Sequence, residues 1–240
     1  MGWSCPSTAA SRPSELTPAR EPARPSAVEG REIKIDTDRK NIMSYAIIGF
    51  GKIGQALANA FARNGVEVSV ATTRDPESFA AEAAAIGPTV LPRKLADAVK
   101  ADIIFLAVRF ESHPQVAKAL PSWKGKTIVD TTNLFPVPEG LEIPSSAVVA
   151  QAFTGARLVK GFNHLIAATL AADPVVEGGH RVVFLSSDDE DAVAPVAALA
   201  RQLGFAPVNL GKLDEGGSLV HAHGRTWGPL IFQDLFKKAP

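Results

Sequence analysis

Three glycines, Gly49, Gly51 and Gly54 in "AIIGFGKIGQALANA", are the residues whose type and spacing point most directly to chemistry. They follow a short apolar run and precede an alanine-rich amphipathic one. G-x-G-x-x-G at such a junction turns a strand into a helix and leaves backbone N–H groups facing an anion. Gly49 is expected to make the tight turn, Gly51 to let a pyrophosphate approach the backbone, and Gly54 to let helix and strand pack closely. Phe50, Lys52 and Ile53 then belong to the same cradle. A glycine-rich corner with no ligand is the plain alternative. Strand, turn, helix and second strand within about thirty residues favour a dinucleotide.

The end of the second strand, "VSVATTRDPESF", selects the nucleotide. A site for NAD usually places a carboxylate there to accept from the ribose 2′-hydroxyl. This chain has Thr72, Thr73 and Arg74 instead, two hydroxyls and a guanidinium that match a 2′-phosphate. NADP(H) is the expected cofactor. Asp75, beside Pro76, is read as the cap of the next helix.

In an open parallel sheet, ligands lie beyond the carboxyl ends of the strands. Those ends read "AVRFESHP", "DTTNLFPVP" and "GFNHLIA". Ala107, Val108, Arg109 and Asn133 are assigned to the cofactor, and Phe110, Leu134, Phe135, Asn163 and His164 to an acceptor pocket. A rim of apolar and aromatic residues with a few amides suits a flat stacked ring better than a small charged acid. His164 is the single candidate proton donor, and its plain reading is a hydrogen-bonded structural histidine. His221 and His223 have ligand-like H-x-H spacing, but with no nearby cysteine and only distant acids no metal is expected. They are read as part of a loop near the pocket, with Trp227 as a packing residue. No Ser-His-Asp or Cys-His set stands in recognisable context.

The elements that must position these residues alternate from Met43 onward. Strands are read in "YAIIG", "VEVSVAT", "DIIFLAV", "TIVDTT", "LVKGF", "RVVFLSS" and "APVNLG". Helices are read in "IGQALANAFARNG", "PESFAAEAAAIG", "KLADAVKA", "PQVAKALPSW" and "DEDAVAPVAALARQLG". Continuously apolar strands alternating with helices give an α/β fold, a doubly wound and largely parallel sheet of the Rossmann type. Asn64-Gly65 and Leu203-Gly204 are read as helix C-caps. After "APVNLG" there is room for about one loop and one short helix, too little for a separate substrate domain.

Residues 1–42 differ in composition, being rich in Pro, Ser, Arg and Glu without helix or strand period, and are read as a disordered leader. Glu15, Glu21, Glu29 and Glu32 are out of character for an organelle presequence. A start at Met43, with an upstream extension before it, is the other reading; residues 43–240 form the NADP-binding domain either way. The whole chain has a net charge of +0 and one cysteine, Cys5. No basic excess points to nucleic acid, no run of roughly 18 apolar residues points to a membrane, and no internal disulfide is possible. A cytoplasmic protein is expected.

The chain resembles the NADPH-dependent reductases of coenzyme F420, whose nucleotide fold is shared by the reductase domain of the STEAP metalloreductases. The likeness rests on "AIIGFGKIGQALA", "VATTRDPE", "DIIFLAV", "IVDTTN", "LVKGFNHL", "VVFLSSDDEDA" and "LGFAPVNLG", and covers nearly everything from Met43 on. The resemblance implies NADP held by the glycine turn and by Thr73 and Arg74. It also implies hydride transfer to a stacked deazaflavin or flavin, and a homodimer. Where many relatives carry a proline-aromatic pair after the fourth strand, this chain has Arg109-Phe110, so the acceptor stays open between F420, a flavin and another compound. Reduction of a small carbonyl or imine, and a non-catalytic NADP sensor, are the competing readings.

Overall fold

Apolar runs too short to be anything but strands build one sheet. In the computed structural model, which describes residues 43–134, 144–221 and 230–238, six strands run parallel. They are β1 (Tyr45–Ile48), β2 (Val68–Ala71), β3 (Val90–Pro92), β4 (Ile103–Leu106), β5 (Thr127–Asp130) and β6 (Arg157–Gly161), ordered β3-β2-β1-β4-β5-β6. The order reverses between β1 and β4, the point where open α/β sheets form a ligand crevice.

The sheet is doubly wound because alternate strand residues serve two cores. Ile47, Val70, Phe105, Val129 and Val159 enter one, with α1 (Lys52–Arg63). Ile48, Ile104, Leu106, Ile128 and Leu158 enter the other, with Trp123 and Phe153. Phe61, Phe105, Phe162 and Phe205 cross the first core as an edge-to-face series, with centroids 5.7, 5.4 and 6.0 Å apart. Each such buried ring contributes roughly 1.5–3 kcal/mol by burial.

Helix α1 forms because alanine and leucine favour it and because Gly54, Leu57, Ala58 and Phe61 recur on one buried stripe. It ends at Asn64 and Gly65, where φ of +64° suits glycine. The remaining helices are α2 (Ala80–Ile86), α3 (Leu95–Ala98), α4 (His113–Ala117), α5 (Ser145–Ala152), α6 (Ala167–Ala171) and α7 (Glu190–Gln202). Asp189 caps α7 by accepting from the Asp191 N–H at 3.1 Å.

Beyond the parallel strands lie β7 (Val175–Val176), β8 (Gly179–Ser186) and β9 (Ala206–Asn209). β8 is antiparallel to β6 and parallel to β9. The C-terminal segment departs from the expected loop and short helix. It contains a 3-10 turn at Gly216–Val220 and a strand, β10 (Phe236–Lys238), antiparallel to β8. The long β8 offers unpaired backbone groups, and pairing satisfies them better than a three-residue helical piece would. β3, β7, α5 and α6 are also additions to the sequence reading. The leader lies outside the described residues. Among the described residues no helix is long and apolar enough to cross a membrane.

Candidate functional site

The three glycines are not equivalent. Gly49 has φ of +104°, and a Cβ there would stand 2.3 Å from the Ala107 carbonyl oxygen at the end of β4. A Cβ on Gly54 would stand 2.0 Å from the Gly49 carbonyl oxygen. Both are held by packing. Gly51 is different, because a Cβ there meets nothing within 4 Å. It is the N-cap of α1, with no side-chain cap bond and no acid in the first turn. The first N–H groups of the helix are thus left to an anion, and the open side at Gly51 fits a pyrophosphate drawn close to the backbone. The Phe50 side chain turns inward onto Phe79 at 5.5 Å, so this residue offers the cradle only its backbone. Lys52 is exposed and Ile53 half-buried beside it.

At the end of β2 the Thr72 hydroxyl accepts from the Arg74 N–H at 2.9 Å, so Thr72 shapes the turn. Thr73 and Arg74 stay exposed, and the Arg74 guanidinium lies over the Phe79 ring, 5.6 Å from its centroid. Asp75 occupies the expected cap position before a 3-10 turn at Pro76–Phe79, but its side chain makes no cap bond.

The strand ends bring the other predicted residues to one edge of the sheet. Ala107 and Val108 are half-buried, with Val108 Cγ1 3.1 Å from the Cβ position of Gly49, and Arg109 is exposed. Phe110 is half-buried and braced by His113, whose Nδ1 lies 2.5 Å from the Phe110 carbonyl and whose ring stands 4.8 Å away. Asn133 Nδ2 donates to the Asn163 carbonyl at 2.9 Å, and Asn163 Nδ2 donates to Asn133 Oδ1 at 3.0 Å and to the Val220 carbonyl at 2.7 Å. These bonds join β5 to β6. Phe162, fully buried, has φ of +60°, a conformation that bulky residues adopt only where the surroundings impose it. Leu134 is buried. Phe135, His223 and Trp227 lie outside the described residues.

The structure places His164 in the interior, fully buried and 4.7 Å from the Phe184 ring. Neither ring nitrogen makes a hydrogen bond; Val182 offers its backbone to the ring without reaching bonding geometry. Burial pushes its pKa down to about 4. His221 is pushed down to about 3, first by burial and then by the Lys160 charge. Both rings are neutral at pH 7. In the unfolded chain they bind a proton near pH 6.5, so the unfolded state holds more protons below that pH and stability falls. The His164 share of that loss amounts to roughly 3 kcal/mol by pH 4. Urea unfolding between pH 7.5 and pH 4 is expected to show this decline, and His164→Gln to flatten part of it. An unchanged slope in that variant would show that His164 does not titrate as described.

Beneath the amide pair lies an arrangement the strand reading did not reveal. Lys160 Nζ and Asp130 Oδ2 are 3.1 Å apart, with side chains 1% and 0% exposed. Asp130 also accepts from the Thr132 N–H and hydroxyl and from the Ser146 hydroxyl, and Lys160 donates to the Thr132 carbonyl. Ser145 Oγ lies 3.3 Å from His221 Nδ1 alongside. Burial alone would raise the Asp130 pKa. The Lys160 charge and the Ser146 and Thr132 bonds outweigh it and hold the carboxyl below its usual range. One signal was available: an aspartate and a lysine inside the otherwise apolar runs "TIVD" and "LVKG". Among the described residues no group of three or more His, Cys, Asp or Glu could hold a metal ion. A cleft of about 780 Å³ opens elsewhere, at the amino edge between Ser44, Gly65, Glu67 and Lys100, away from the glycine turn.

Residues 44–134 match the family model described as NADP oxidoreductase, coenzyme F420-dependent. The chain is 31% identical over 173 residues to the metalloreductase STEAP2 of Mus musculus, covering 71% of this chain and 34% of that protein. It therefore spans about a third of the length of the curated relatives it matches. A hypothetical protein of Sinorhizobium meliloti superposes with TM-score 0.76 and 38% identity, over 83% of this chain and 98% of the other. A protein assigned as an F420-dependent NADP reductase of Arthrobacter superposes with TM-score 0.57 and 28% identity, over 71% of this chain and 86% of the other.

Proposed function

This chain belongs to the NADP oxidoreductase, coenzyme F420-dependent family, and from that premise we propose that it passes a hydride between NADP(H) and a flat deazaflavin (F420) or flavin acceptor. The observation that carries the reading is the cradle. Gly49 and Gly54 have no room for a side chain, whereas Gly51 faces open space at an uncapped helix start. It lies where the strand order reverses.

A nicotinamide bound at this edge supplies the hydride chemistry itself, so no acid or base from the protein is required. The chain's own residues bind and orient. The Gly49 N–H is bonded to the Ala71 carbonyl, so the N–H groups that follow it, from Gly51 into the first turn of α1, take the pyrophosphate. Thr73 and Arg74 take the 2′-phosphate, which a guanidinium and a hydroxyl match better than a carboxylate would. Ala107, Val108 and Arg109 continue the cofactor side along β4, and Asn133 is held in one orientation by Asn163. Phe110, half-buried, supplies apolar surface against which a flat acceptor stacks and from which water is excluded. The closed, neutral position of His164 agrees with a reaction that uses no general acid.

The test is to follow NADPH oxidation with F420, FMN and FAD in turn, then to repeat each with NADH. NADPH is expected to be oxidised in preference to NADH by at least one of the three. Arg74→Ala should raise the KM for NADPH about tenfold and leave that for NADH within about twofold. Measurable NADPH binding with no turnover on any of them would sink the acceptor assignment and favour a carbonyl or imine substrate or an NADP sensor.

A further inference from the structure

Arg93 directly follows β3, whereas Thr73 and Arg74 follow β2, yet the sheet brings it beside them. β3 pairs with β2 in parallel, with Val70 opposite Pro92, and the Arg93 N–H donates to the Val70 carbonyl at 2.8 Å. The next position along β3 therefore stands beside Ala71, one strand spacing of about 4.8 Å from the chain entering Thr72 and Thr73. An extended arginine spans more than that distance.

Arg93 is exposed, and among the described residues its side chain has no ion-pair or hydrogen-bond partner. The nearby carboxylate of Asp97 is already paired with Lys100 at 2.7 Å. That carboxyl is held below its usual range, first by Lys100 and then more weakly by the charges of Arg93 and Lys94. Arg74, for its part, lies over the Phe79 ring, 5.6 Å from its centroid. A phosphate dianion is bound best by several charge-assisted bonds from more than one direction.

We propose that Arg93 is a second 2′-phosphate-binding residue, closing the nucleotide site from β3 opposite Thr73 and Arg74. The assignment rests on the NADP reading above, and makes the discrimination between NADPH and NADH a joint property of two strands.

Calorimetric titration of the full chain with NADPH, NADH, 2′,5′-ADP and 5′-AMP tests it without turnover. Arg93→Ala is expected to weaken NADPH and 2′,5′-ADP about tenfold while NADH and 5′-AMP stay within about twofold. The loss should shrink as salt is raised, because an exposed charge pair is screened. Lys124→Ala, which removes a surface charge near the amino end of β5, is the control and should change none of the four. Unchanged NADPH affinity in Arg93→Ala overturns the assignment. So does an equal loss for NADPH and NADH, or an equal loss in Lys124→Ala. Failure of the NADP reading itself would show in the wild-type titrations, as NADH bound at least as tightly as NADPH, and would take this assignment with it. Arg93 keeps its strand bond through the backbone, so matching melting curves will exclude unfolding as the cause.

Discussion

Gly54→Ala is expected to destabilise the protein by about 2–4 kcal/mol, while Gly51→Ala leaves stability within about 1 kcal/mol and weakens NADPH at least about tenfold. The two residues belong to one motif, so composition alone would treat them alike. Their surroundings differ. A methyl group at Gly54 must enter a space 2.0 Å from the Gly49 carbonyl oxygen, which is backbone and cannot rotate away. Relief requires α1 to move off the turn, and that opens the contact of Leu57 and Phe61 with the core. At Gly51 the φ of −78° suits any residue and the methyl meets nothing within 4 Å. Its cost falls on a ligand that must approach the backbone there. Urea unfolding and NADPH titration of both variants separate the two effects. Wild-type NADPH affinity in Gly51→Ala would remove the pyrophosphate from this turn.

Lys160→Met should cost about 3–5 kcal/mol, because it strands the Asp130 carboxylate in the interior without its counter-charge. The double variant Asp130→Asn with Lys160→Met is expected to recover much of that loss. It removes both charges; the amide oxygen can still accept the two Thr132 bonds at 2.7–2.9 Å, and the amide NH2 in the other position can donate to the Ser146 oxygen once that hydroxyl rotates. The pH dependence follows from the direction of the Asp130 shift. Its folded pKa lies below the unfolded carboxylate value, so its contribution is complete above that value and is lost as pH falls through the folded one. Asp130 and the two buried histidines therefore act in the same direction, and the protein should lose stability steadily in acid. Equal stability of Lys160→Met and wild type at pH 7 would mean that the pair is solvated. Losses in the single and double variants that add independently would show that Lys160 and Asp130 are not coupled.

The proposed acceptor rim depends on this network. Lys160 bonds to the Thr132 carbonyl one residue before Asn133, and Asn163 directly follows the strained Phe162. The Asn133–Asn163 amide pair thus stands on a buried ion pair, on left-handed backbone at Phe162 and on the Val220 carbonyl. This support comes from three separate parts of the chain.

Much of the fold was legible in the residue order. Strands that are apolar throughout, helices rich in alanine with one buried stripe, and C-caps at Asn64-Gly65 and Leu203-Gly204 all act over a few neighbouring residues. β3 escaped because three residues with a proline at the end carry little periodic signal, and proline is tolerated there because the strand lies at the sheet's edge. The C-terminal strand escaped because "FKK" has no strand character of its own; it is a strand only because β8 presents free backbone groups to it. The cap assigned to Asp75 reached the right position and not the bond.

What the sequence by itself determined is the glycine turn, the hydroxyl-arginine stretch after β2 and the doubly wound alternation, since the absence of a Cβ, the identity of a charge and a hydrophobic period are local properties. Only the tertiary structure decided which glycine packs and which faces open space, that His164 is shut in the core, and that Asp130 finds Lys160 thirty residues on. It alone placed Arg93 beside the turn of Thr73 and Arg74. These are consequences of strand register, and register depends on which distant segments bury their apolar faces together.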